Sequence, residues 1–135
     1  MEQTQEIQFK TPDVQERAKL LHSRCIDIMA DMYQWAVDNS LSFTITATVS
    51  NWLEDRVLGR VSSSHRERRA FDLSIHGWTD ENIREFTNHF NFKYYDEAAI
   101  SGETGKPTLV LCHDNGHGRH IHVQIHKRYA FTTHS

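Results

Sequence analysis

No apolar run in this chain approaches the length that a membrane-spanning helix needs. The first residues, Met1-Glu2-Gln3-Thr4-Gln5-Glu6, are polar and acidic, which is the wrong chemistry for a secretory signal peptide. The expectation is synthesis in the cytoplasm without a signal peptide. Any route outward would then have to be supplied by another component. A basic excess is missing too: the net charge is -3, so nothing marks nucleic acid as a partner. Repeats, low-complexity tracts and long linkers are absent, and 135 residues fit a single domain over 1–135. Cysteine is scarce, with only Cys25 and Cys112. Two buried, reduced thiols are expected, and a disulfide stays open until distances are known.

Histidine, by contrast, is plentiful. There are ten, and six of them lie between His113 and His134. They do not form the consecutive run of a purification tag. Such density raises the expectation of a metal site.

Residues 1–10 read as a loose or weakly extended lead-in. Thr11-Pro12-Asp13 is a helix start: a capping hydroxyl, a proline at the first helical position, and an acid favoured by the helix dipole. Val14, Ala18, Leu21, Cys25, Ile28, Met32 and Trp35 follow at alternating spacings of three and four. That pattern predicts one buried helical stripe reaching about Asp38. Residues 43–49 are β-branched and read as a strand. Residues 51–58 are ambiguous, with a short helix as one reading, and Gly59 breaks the segment. Residues 69–75 alternate, with Ala70, Asp72 and Ser74 on one face and Phe71, Leu73 and Ile75 on the other. Thr79-Asp80-Glu81 opens another helix, whose stripe is Ile83, Phe86 and Phe90. A turn-rich loop, a strand at 108–112, a tight turn at 113–118 and a strand at 119–126 complete a hairpin. This order predicts an α+β fold, with an antiparallel β-sheet and helices packed on one side.

The last strand carries the chemistry. Ile121, Val123 and Ile125 alternate with His120, His122 and Gln124, so the polar three share the face away from the core. Asp72 faces outward by the same alternation, and His65 lies in the serine loop leading into that strand. If both strands share a sheet, His65, Asp72 and His122 converge. Two imidazoles and one carboxylate suit zinc (Zn2+). Three protein ligands leave a fourth position for water, as in catalytic rather than structural sites.

Ser63-x-His65 followed by Ala70-x-Asp72 resembles the Ser-x-His-x-x-Gly-x-Ala-x-Asp motif of the D-Ala-D-Ala carboxypeptidase family. His120-x-His122 resembles that group's second motif, His-x-His. The wider group includes lysostaphin-type peptidases, murein endopeptidases and the hedgehog signalling domain, and phage endolysins of the group are similar in length. His117-x-x-His120-x-His122 resembles the murein endopeptidase spacing. The likeness runs from about Phe43 to His126.

It implies a hedgehog/D-Ala-D-Ala peptidase-like fold and a monomeric zinc metallopeptidase. The substrate would be a peptidoglycan peptide, with no membrane or nucleic-acid partner. His65, Asp72 and His122 would be the zinc ligands. His120 would be the general base or transition-state stabiliser, and His117 a proton carrier or substrate contact. Ser63 belongs to the motif and counts as a substrate-side residue. The chain departs from the pattern in two places. Arg68 stands where the motif has glycine, which leaves the turn after His65 open. The family's upstream arginine is also missing, with Arg56, Arg60 or Asn51 as substitutes near a developing oxyanion.

The competing reading is a non-catalytic zinc module of the same fold that binds a ligand or partner. A structural zinc on Cys112, His113 and His117 is a further alternative, disfavoured because two cysteines cannot build the usual cysteine-rich set. D-Ala-D-Ala, L-Ala-D-Glu and D-Ala-diaminopimelate links all stay open as the bond cut.

Overall fold

The computed structural model describes residues 7–114 and 118–130. In chain order the elements are β1 (Gln8–Phe9), α1 (Pro12–Ala18), α2 (Ser23–Asp38), β2 (Thr44–Ala47), α3 (Trp52–Val57), β3 (Ala70–Ser74), α4 (Asp80–Lys93), β4 (Val110–Asp114) and β5 (Arg119–Gln124). Short 3-10 turns occupy Tyr95–Glu97 and Lys127–Tyr129. No helix among the described residues is long and apolar enough to cross a membrane.

The five strands form one sheet in the order β1-β2-β3-β5-β4. The three pairings among β2, β3, β5 and β4 are antiparallel, but β1 joins β2 in parallel. The sheet expected to be antiparallel is therefore mixed. Parallel neighbours need a long crossover, and α1 and α2 supply it between β1 and β2. The lead-in is thus partly a strand, from Gln8.

Inward residues of the sheet meet two helices. Phe71 and Leu73 from β3 and Ile121 and Val123 from β5 share a core with Cys25, Ile28 and Met32 of α2 and Ile83, Phe86 and Phe90 of α4. Full burial of each large apolar side chain contributes roughly 1.5–3 kcal/mol. The stripe read from 14 to 35 is real but spans two helices rather than one. Backbone bonds from Leu20 to Arg17 and from Leu21 to Ala18 tighten the end of α1. His22 then turns extended, and its Nδ1 accepts from the Arg24 N–H to cap α2. Its own N–H donates to the Arg68 carbonyl at 2.8 Å. The interruption keeps Leu21 buried, so the periodicity runs across it unbroken.

The ambiguous segment 51–58 contains a helix, because Asn51 and Glu54 cap each other reciprocally. Gly59 follows at φ +71°, a left-handed stop. Cys25 is buried, and that burial pushes its thiol up to about 12. Cys112 is exposed and both cysteines are free, which corrects the expectation of two buried thiols. Cys112 lies near the open end of β4, where core packing runs out.

Arg68 has φ +63°, the left-handed region where glycine is unstrained. Its N–H donates to the His65 carbonyl and the Arg69 N–H to the Ser64 carbonyl. The chain therefore follows a path that glycine would accept. Arg68→Gly is expected to leave unfolding free energy nearly unchanged in urea titration. Arg68→Val, whose branched Cβ is the worst case there, is expected to lower it by about 1–2 kcal/mol.

Candidate metal centre

Register decides which side chains share the outer face. Asp72 pairs with His122 and Ser74 with His120 across β3 and β5. Leu111 pairs with His122 and His113 with His120 across β5 and β4. Directly opposed residues lie on one face, so Asp72, His113, His120 and His122 all point away from the core. Cys112 and His113 are neighbours in β4 and point to opposite faces. That geometry disfavours their sharing one ion.

His65, Asp72 and His122 each offer a ligand atom within 4.8 Å of the others. The Asp72 carboxylate sits between the two rings. Its Oδ2 is 3.4 Å from His65 Nε2, and its Oδ1 is 2.7 Å from His122 Nδ1. Tetrahedral bonds of about 2.0–2.1 Å place neighbouring ligand atoms roughly 3.3 Å apart. The His65–Asp72 spacing already suits that geometry. The His122–Asp72 spacing is a hydrogen bond that an ion would have to open.

The remaining ring nitrogens are engaged behind the site. His65 Nδ1 lies 2.7 Å from the Thr48 carbonyl, which can only accept, so the proton resides on Nδ1. That leaves Nε2, which faces Asp72, as the ring nitrogen that can ligate an ion. His122 Nε2 lies 2.8 Å from Gln124 Oε1, which frees Nδ1 to become a ligand. Oriented imidazoles of this kind are what bound metals require. Gln124→Leu is therefore expected to weaken zinc binding about 10- to 100-fold in competition with a chelating dye. Thr48 is itself held from the other side, because its hydroxyl donates to the Val14 carbonyl at 3.0 Å. A register shift between Ile45 and Ala47, just before Thr48, bends β2 beside the site.

Burial pushes the Asp72 carboxyl up, but hydrogen bonds from His122 and His65 and their charges outweigh it. The carboxyl ends well below its ordinary range. Burial pushes the His122 imidazole down. The Asp72 hydrogen bond and charge more than offset this, so the imidazole ends above its ordinary value. The Asp72 contribution to stability is present above about pH 3.9 and is lost as pH falls through its lowered value. The His122 contribution is complete below about pH 6.5 and is lost as pH rises through its raised value. The metal-free pair therefore stabilises most between those limits. A metal must displace the His122 proton. Zinc affinity is expected to tighten as pH rises from about 5.5 to 8, measured by calorimetry.

The cavity over the three candidate ligands has a volume of about 200 Å3, and Arg60, Val61, His113 and His120 line it with them. Arg60 is steered by Asp55, a buried residue of α3. The Asp55 carboxylate accepts from Ser50 Oγ at 2.7 Å, Arg60 at 3.1 Å and Arg66 at 2.7 Å. Burial pushes that carboxyl up, and those three donors draw it back below its ordinary value. Arg60 also comes within 4.0 Å of Asp72 Oδ2.

The other expected residues lie elsewhere. Ser63 Oγ donates to Glu67 at 2.9 Å and does not line the cavity. Arg56 is exposed on α3 outside it, and Asn51 is committed to capping that helix. His117 lies outside the described residues. Thr48 and Asp55 had no motif to point to them. Gln124 and His113 did carry a signal, since both sit two residues or one strand from a candidate histidine on the same face. No family model matches the chain, and no curated protein or solved structure matches it significantly.

Proposed function

We propose that this chain is a zinc metallopeptidase that hydrolyses an amide bond in bacterial peptidoglycan peptides. The carrying observation is the convergence of His65 Nε2, His122 Nδ1 and the Asp72 carboxylate, each ring nitrogen freed by a partner behind it. Motif likeness to D-Ala-D-Ala carboxypeptidases supplies the substrate class and the finer hedgehog/peptidase-like fold. Zinc, when bound, supplies Lewis acidity that polarises a carbonyl and lowers the pKa of water to roughly 7.

The chain's own residues do the rest. A ring nitrogen of His120, on the cavity wall beside the ligands, takes a proton from the attacking water and returns one to the leaving amine. Arg60, aligned by Asp55, meets the negative charge that develops on the substrate. His117 assists as a proton carrier or substrate contact.

Mass spectrometry of products from purified peptidoglycan tests the reading. The expected result is a new amine and carboxyl pair at one peptide link, dependent on zinc and absent after chelation. Intact peptidoglycan with zinc-loaded protein would overturn it and favour the non-catalytic zinc module.

A further inference from the structure

Among the described residues, eleven large hydrophobic side chains are exposed, and five of them fall within ten residues: Trp52, Leu53, Val57, Leu58 and Val61. None joins the core, and Asp55 is the only buried residue of α3. Exposed apolar side chains concentrated in this way mark an interaction site more often than singly scattered ones do. Trp52 is 73% exposed and Val57 77%. The Trp52 ring is also braced. The Arg66 guanidinium lies 3.7 Å from its centroid and is tied to the buried Asp55 carboxylate. Braced in this way, the ring can present a fixed flat surface.

We infer that the α3 face is a docking surface for the peptidoglycan polymer itself, gripping glycan and stem peptide outside the cavity. This rests on the peptidoglycan reading above. Two observations select that occupant. The face is continuous with the candidate site, because Arg60 and Val61 line the cavity that contains His65, Asp72 and His122. Its chemistry is also mixed: the Trp52 ring, one face of it under Arg66, and aliphatic groups stand beside the exposed Arg56. That set complements a chain whose sugar rings present apolar C–H faces and whose peptides carry carboxylates. A bilayer pressed against Val61 would instead seal the cavity mouth.

The test is co-sedimentation of metal-stripped protein with purified sacculi, wild type against Leu53→Ser/Val57→Ser and against Arg56→Glu. These side chains are exposed, so folding is checked by an unchanged circular dichroism melt. Sacculus binding is expected to fall about tenfold in each variant. Cleavage of a short soluble cross-linked muropeptide is expected to stay within about twofold for the zinc-loaded forms. Unchanged sacculus binding would overturn the inference. So would patch-dependent binding to phosphatidylglycerol vesicles without sacculus binding, or a concentration-dependent dimer dissolved by the same substitutions. Patch-dependent binding without any cleavage would instead sink the hydrolase and leave the docking face standing. Cleavage with patch-independent binding would do the reverse.

Discussion

Asp72→Ala is expected to weaken zinc binding by roughly two to three orders of magnitude. Asp72 is the only carboxylate of the three-residue group, and it contacts both imidazoles. Apparent zinc affinities of about 10–16 kcal/mol in four-ligand protein sites imply a few kcal/mol per ligand. Loss of the carboxylate also removes the negative charge that offsets the ion. Asp72→Asn separates these effects, because the amide keeps size and one oxygen but not the charge. It is expected to fall between wild type and Asp72→Ala. Equilibrium dialysis with metal quantification reads both. Wild-type affinity in Asp72→Ala would remove Asp72 from the ligand set.

His120→Ala carries the second large effect and dissociates two properties that Asp72→Ala changes together. His120 shares the cavity with the candidate ligands but is not one of the converging three. Its ring lies beside that of His113, with centroids 5.8 Å apart. Peptidoglycan cleavage is expected to drop about 10²- to 10⁴-fold, the usual worth of a positioned general base. Zinc affinity is expected to stay within about threefold of wild type, since second-layer changes of real consequence cost 10-fold or more. Undiminished digestion would deny His120 its role, and lost zinc would make it a ligand instead.

The outer face of the sheet was legible because strand alternation is a strict geometric rule. Phe71, Leu73, Ile121 and Val123 had to be inside, so Asp72 and His122 had to be outside, and antiparallel register put them opposite each other. The parts that escaped were of a different physical kind. The Thr48 contact to His65 is made by a backbone carbonyl, which has no residue signature. Asp55 read as one more charge in an ambiguous segment, and only the folded loop brings Arg60 and Arg66 onto it. The break at His22 was hidden because the helical stripe stays in phase through it. The parallel strand β1 is two residues long, too short for any periodicity to register.

Zinc K-edge X-ray absorption on the loaded protein addresses the metal centre most directly. The expected spectrum contains one zinc per chain, with two imidazole nitrogens and light-atom oxygens at about 2.0–2.2 Å and no sulfur shell. A sulfur shell near 2.3 Å would move the ion to Cys112 and contradict the His65, Asp72 and His122 assignment. An unchanged spectrum in a His65→Ala/His122→Ala variant would contradict it equally.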